Sequence, residues 1–361
     1  MKEFIIPILF LLLLATGCQN SNTSSASTHL PNEIVEVANK DFLALFDRVP
    51  VYTLDFNGEI QEITPTNVFG AESPIFSQPN RLLFHNDSLF VSDTKDHSIK
   101  ILNTQGNLIK EIGGKGQAPL EFNEPRGIFK TKNGYFIEDI INNRTQFLSN
   151  NLKYIDSLPL VSELGRKGFI NDKYIYIAQS TENQSKSFQF FSSAPPFRKI
   201  GNFFPNLFNE NIKLFGLNRR LLYVHDNHIY ITFSSLPFIF VLDNNKVLKH
   251  IIKINHKKVK NAVKRNVTSI QKAIKLNNDQ TFTVIIDSII STNGYLYVSS
   301  GGLIYKLTIQ DEKYKILSMF KLSTGKTESK KLIAISDFKI HKSDLYVAPM
   351  GDPFIYKFST P

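Results

Sequence analysis

Six charged residues stand at matching places along this chain. Arg81, Arg126, Arg166, Arg220, Asp287 and Asp337 each lie about eight residues before a short run of apolar, aromatic and apolar side chains. Runs that occupy equivalent strands of a cyclic repeat would bring all six to one opening, four arginines in succession and two aspartates completing the ring. Planar guanidinium groups grip carboxylate and phosphate oxygens two at a time. An opening of this kind therefore suits a carboxylate-bearing, phosphorylated or zwitterionic ligand. The plainer alternative is that each residue caps a turn or ties one repeat to its neighbour.

Other chemistry is sparse. The eight histidines include one close pair, His225 and His228, across an expected hairpin turn and without a third ligand at metal-site spacing. No Gly-x-Ser-x-Gly elbow, His-Glu-x-x-His, phosphate-binding glycine loop or paired-cysteine motif occurs. Gly113-Gly114-Lys115-Gly116 follows no βα unit and reads as a link between repeats. No catalytic residue, metal ligand or cofactor is expected from these patterns. The formal net charge of +10 is concentrated: Lys257, Lys258, Lys260, Lys264, Arg265, Lys272 and Lys275 fall between positions 255 and 276 with no acidic residue among them. The rest of the chain is close to balanced, which argues against a nucleic-acid-binding face.

The elements that must position the six charges are the runs themselves: Leu89-Phe90-Val91, Tyr135-Phe136-Ile137, Ile175-Tyr176-Ile177, Ile229-Tyr230-Ile231, Leu296-Tyr297-Val298 and Leu345-Tyr346-Val347. Their central aromatics are 46, 40, 54, 67 and 49 residues apart. With turns at Asn86-Asp87, Gln105-Gly106-Asn107 and Asn133-Gly134, a unit of this length matches a four-stranded propeller blade. One such sheet leaves both faces bare; neighbours around an axis cover them. The expected fold class is all-β, a six-bladed β-propeller of four-stranded antiparallel blades over 32–361. The last repeat reaches Pro361 after three strands, so an N-terminal strand, placed at 51–56, is expected to supply the fourth and close the ring. Before it, 32–50 reads as a short strand and a helical turn.

The two long spacings mark insertions. One holds Phe203, Phe204, Phe208 and Phe215 around Pro205 and reads as a packed edge loop. In the other, at about 256–276, Val259, Val263, Val267, Ile270 and Ile274 recur at helical spacing opposite the lysines. This helix is expected to pack its apolar stripe on a blade, the alternative being contact with anionic lipid or an acidic partner.

Lys2, an apolar run over 4–15 interrupted by Pro7, and Thr16-Gly17 have the layout of a secretory signal over 1–17, too short to cross a bilayer as a helix. Cys18 is the only cysteine, so no intrachain disulfide forms. Leu14-Ala15-Thr16-Gly17-Cys18 resembles the bacterial lipobox, which implies cleavage before Cys18, lipidation of it, and a flexible Ser/Asn/Thr-rich tether over 18–31. From Val91 to Ile99 and from Ile137 to Arg144 the chain resembles the NHL-repeat signature, in which Asp, Asn and Arg brace the loop between second and third strands. With the lipobox, the link from Gly113 to Phe122 and Pro125-Arg126-Gly127-Ile128, it is similar to the six-bladed β-propeller lipoproteins of Bacteroidetes, the likeness running over 49–157.

That resemblance implies a lipid-anchored propeller of the bacterial cell envelope that binds a peptide, glycan or protein partner at its channel mouth. Surface-exported relatives carry acidic residues after the cysteine; their lack here favours the outer membrane, facing the periplasm. The alternative implied by related propellers is a metal-dependent lyase or lactonase-like enzyme using the same mouth, with calcium as its metal.

Overall fold

A computed structural model describes residues 25–159, 169–178, 186–208, 219–225, 227–276, 280–310, 313–324 and 333–360. The 1–17 signal, Cys18, Arg166 and Phe215 lie outside the described residues. Three single helical turns come first: α1 (Ala26–His29), α2 (Asn32–Val35) and α3 (Lys40–Leu43). No strand forms between 32 and 50. Ala26, Leu30, Ile34, Ala38, Phe42 and Phe46 recur every fourth residue and are all buried, so packing of one helical face overrides the β-branched residues nearby. The stretch read as a tether is thus seated on the propeller from Ala26 onward.

Three short strands follow: β1 (Val51–Leu54), β2 (Ile60–Ile63) and β3 (Asn67–Phe69). Blade 1 comprises β4 (Pro79–His85), β5 (Ser88–Asp93), β6 (Ser98–Leu102) and β7 (Leu108–Gly113), and blade 2 comprises β8 (Pro125–Thr131), β9 (Gly134–Asp139), β10 (Arg144–Leu148) and β11 (Tyr154–Leu158). Blade 3 is built from β12 (Phe169–Ile170), β13 (Tyr174–Ala178), β14 (Lys186–Ser192) and β15 (Lys199–Pro205), and blade 4 from β16 (Arg220–His225), β17 (His228–Phe233), β18 (Phe238–Asp243) and β19 (Leu248–Ile254). A helix, α4 (Lys257–Leu276), leads into blade 5, with β20 (Ser288–Thr292), β21 (Tyr295–Ser300), β22 (Leu303–Gln310) and β23 (Lys313–Leu322). Blade 6 has β24 (Ile335–His341), β25 (Asp344–Pro349) and β26 (Ile355–Ser359), completed by β3. The fold is a six-bladed propeller whose blades are four antiparallel strands, two of them extended by a fifth, parallel strand.

All six apolar-aromatic runs lie on the second strand of a blade, where alternation sends successive side chains to opposite faces. Leu89 and Val91 pack toward blade 6 with Tyr346, whereas Phe90 packs toward blade 2 with Tyr135 and Ile137. Each blade thereby depends on both neighbours, the physical reason that the unit recurs.

Closure uses an N-terminal strand, but a different one from 51–56. β1 runs parallel to β19, Val51 opposite Ile251, and widens blade 4 at its outer edge. The seal is β3, antiparallel to β26 with Phe69 opposite Ile355. Three residues reading Asn-Val-Phe carry little strand signal; their placement is fixed by Phe69, which is buried with Phe76 and Tyr346 where blades 6 and 1 meet. A Cβ at Gly106, whose φ is +92°, would come within 2.4 Å of the Phe69 ring, so glycine is needed there twice over.

Candidate binding site at the channel mouth

Each inner strand starts at one face of the wheel and runs down the axis. In three consecutive blades the start is bulged: the register shifts between Pro79 and Arg81, between Pro125 and Ile128, and between Ile335 and Asp337. A bulge re-aims the side chain beside it. Here it turns Arg81, Arg126 and Asp337 toward the axis. Ser92 Oγ accepts from the Arg81 backbone N–H at 3.1 Å and donates to the Arg126 carbonyl at 2.8 Å, tying two of these starts together.

Arg81 and Asp337 form the best-supported pair. The Arg81 Nη1 lies 3.9 Å from Asp337 Oδ1 and donates to the Ser336 carbonyl at 3.3 Å. Asp337 also accepts from the Leu82 backbone N–H at 3.1 Å and from Ser288 Oγ at 3.4 Å, and faces Lys339 Nζ at 3.4 Å. Its charge is therefore met within the protein. Burial pushes the Arg81 pKa down, Asp337 and Glu138 oppose that, and Arg126 adds to it.

Glu138 reaches the mouth from the second strand of blade 2. It can do so because Gly127 has no side chain: a Cβ there would lie 2.0 Å from Glu138 Oε2. The Pro-Arg-Gly-Ile stretch held this signal, a glycine inside an inner strand.

Arg220 does not join the ring. It is fully buried, and its Nη1 donates to Ser187 Oγ at 2.8 Å and to Asn206 Oδ1 at 2.6 Å, inside the packing between blades 3 and 4. Its neighbour Arg219 takes the place at the mouth. Burial lowers the Arg219 pKa, Asp287 raises it, and Arg81 and Arg126 lower it further, so three guanidinium groups from blades 1, 2 and 4 share one opening. The reason is register: β16 pairs without a bulge, setting Arg220 opposite Phe233, whereas the bulged strands set Arg81 opposite Ser92 and Asp337 opposite Ala348. Asp287, one residue ahead of β20, is half-buried, bonds Ser299 through its backbone and faces Arg219.

Two of these arginines retain free donors. The Nε atoms of Arg126 and Arg219 are buried and have no hydrogen-bond partner among the described residues, although Arg126 Nη2 reaches Glu124 Oε2 at the rim at 3.2 Å. Buried guanidinium donors without an acceptor are costly to the folded chain.

Below the mouth lies a channel of about 350 Å³ with walls of Leu83, Ile128, Ile170, Leu221 and Ile289. Farther down it is aromatic: Phe129 meets Phe169 edge-on at 6.0 Å, and Phe169 meets Tyr223 edge-on at 5.4 Å. His225 and His228 face each other across the β16–β17 hairpin at the far end from the arginines. Among the described residues no group of three or more His, Cys, Asp or Glu is placed to hold a metal ion.

In backbone shape the chain is similar to a protein of Bacteroides fragilis described as exported, with 10% identity, a TM-score of 0.53, and coverage of 83% of this chain and 88% of that one. Virginiamycin B lyase from Staphylococcus aureus gives 14% identity and a TM-score of 0.47 over 85% and 87% of the two chains. Hsv2 of Kluyveromyces lactis gives 13% and 0.44 over 78% and 93%. At these identities the likeness is one of fold. No curated protein matches the sequence. Residues 71–299, well over half of the chain, match the family model described as 6-bladed beta-propeller, and the chain belongs to that family.

Proposed function

We propose that the chain is a non-catalytic binding propeller that takes a carboxylate- or phosphate-bearing ligand at its channel mouth. The observation that carries this is the pair of buried Nε donors on Arg126 and Arg219, beside Arg81, that have no acceptor among the described residues. The channel beneath, where Lys130, Lys339 and His225 stand among aliphatic and aromatic side chains, receives the rest of the same ligand, as in a short peptide with a free carboxylate or a glycan fragment with an acidic group. The protein sits in the cell envelope, held through a lipid on Cys18, on the periplasmic side of the outer membrane.

The mouth is tested with N-acetylphenylalanine and its amide as probes. The acid is expected to raise the melting temperature and the amide not to, with Arg126→Gln combined with Arg219→Gln removing the effect. Equal shifts from acid and amide would refute an anion-reading mouth. Stoichiometric calcium or zinc in the purified protein would instead favour metal-assisted chemistry. The anchor is tested by Cys18→Ser, expected to move the protein to the soluble fraction; retention on the membrane removes the lipid from this reading.

A further inference from the structure

α4 is the most basic element of the chain and it lies on the same face as the channel mouth. The turn between β17 and β18 occupies, in blade 4, the place that the turn between β5 and β6 occupies in blade 1, where Thr94 Oγ1 donates to the Pro125 carbonyl beside Arg126. α4 is fastened over that blade 4 turn: Asn266 Nδ2 donates to the Ser235 carbonyl at 3.0 Å and to the Thr283 carbonyl at 2.9 Å, and its Oδ1 accepts from the Thr283 N–H at 2.7 Å.

Its two sides differ sharply. Val259, Ala262, Ile270 and Ala273 are buried against blades 4 and 5 and the N-terminal turns. Lys257, Lys258, Lys260, Lys264, Arg265, Lys272 and Lys275 are all exposed, and so are Ile274 and Leu276 at the last turn. On the N-terminal turns, Glu33 accepts from Gln271 Nε2 of α4 at 3.3 Å. α2 packs against α4, and Lys253 Nζ donates to the His29 carbonyl at 3.0 Å, so the chain leaves toward Cys18 from beside this helix. The seven residue steps from Cys18 to Ser25 reach at most about 25 Å, which confines a lipid at Cys18 to this neighbourhood.

We propose that the exposed side of α4 rests on anionic phospholipid headgroups, with Ile274 and Leu276 entering the interface, and so sets the channel mouth toward the bilayer. A basic amphipathic helix with apolar residues at its tip has the composition such contacts use. The proposal rests on α4 and not on the ligand at the mouth. The mature chain from residue 18 with Cys18→Ser, in which no lipid contributes, is sedimented with vesicles of phosphatidylglycerol and phosphatidylcholine in equal parts and with phosphatidylcholine alone. Binding to the anionic vesicles only, weakened by salt, is expected; reversing Lys260, Lys264 and Lys272 to Glu should weaken it by about a hundredfold. Binding that ignores lipid charge would overturn the proposal. So would an unchanged affinity in the triple variant with an unchanged melting temperature, or retention on polyglutamate with none on either vesicle.

Discussion

Blades 1 and 2 and blade 4 meet the same structural need with opposite chemistry. Three residues beyond the central aromatic of the second strand, each must order the turn that follows. In blades 1 and 2 the residue is Asp93 or Asp139, fully buried. Asp93 accepts from the Ser77 and Gln78 backbone N–H groups, each at 2.8 Å, and from Lys100 Nζ at 3.3 Å. Asp139 accepts from the Asn123 N–H at 2.6 Å and from Asn142 Nδ2 and Arg144 Nε, each at 2.8 Å. In blade 4 the residue is Phe233, packed edge-on against Phe42 at 5.4 Å and against Phe240 at 6.4 Å. A charge brace ties its turn to the link that enters the same blade. An aromatic plug needs a cover, and the helical turns before residue 50 supply it.

The largest expected effect breaks the brace. Asp139→Ala takes the carboxylate from Arg144 Nε and the acceptor from the Asn123 N–H, while Arg144 Nη2 keeps the Ala118 and Glu121 carbonyls and Asn142 keeps that of Gly116, and should cost about 3–5 kcal/mol, read from denaturant midpoints. Phe42→Ala, on the aromatic side, should cost about 3 kcal/mol because the α3 turn can settle a little into the space. The two regions share no partners, so the double variant should be additive to within about 0.5 kcal/mol. A larger coupling would show that brace and plug are one system.

Acid separates the regions next. His250, on the outer strand of blade 4 and in contact with Tyr314 of blade 5, is lowered from its ordinary 6.5 to about 4, first by burial and then by His228. The folded state thus resists protonation that the unfolded chain accepts. Its contribution is complete above about pH 6.5 and is lost as pH falls toward 4. Melting temperatures of the wild type should fall through that window, and His250→Gln should flatten the slope. The smallest effect is expected from Asp87→Asn, which removes exposed contacts to His341 and Lys342 and should leave the midpoint unchanged.

The wheel was legible because each run carries its own instruction: an aromatic flanked by aliphatics, in a strand that must cover two faces, reads as a blade core wherever it occurs. The mouth was legible only in part. A fixed count back from Tyr230 reaches Arg220, which the unbulged register of β16 buries between blades so that Arg219 stands at the mouth in its place, whereas the same count reaches Asp287 just ahead of β20. Bulges leave no compositional mark in Asn80 or Ser336. Glu138 was hidden for another reason: it sits on a second strand, and only the missing side chain of Gly127 lets it through. In blade 1 the bracing cation is Lys100, two positions on from where Arg144 stands in blade 2, a longer reach that strict spacing overlooks.

The seal of the ring has a temporal side. Phe69 has been synthesised long before Ile355, the residue it must lie beside, and bringing such distant segments together carries a large loop-closure cost. Until the final strand is available, the Gly106 notch and the far side of blade 6 stay open, two unpaired borders that a neighbouring copy could occupy. A chain cut short before residue 355 should therefore assemble with its own kind in place of closing, and size-exclusion chromatography would reveal it.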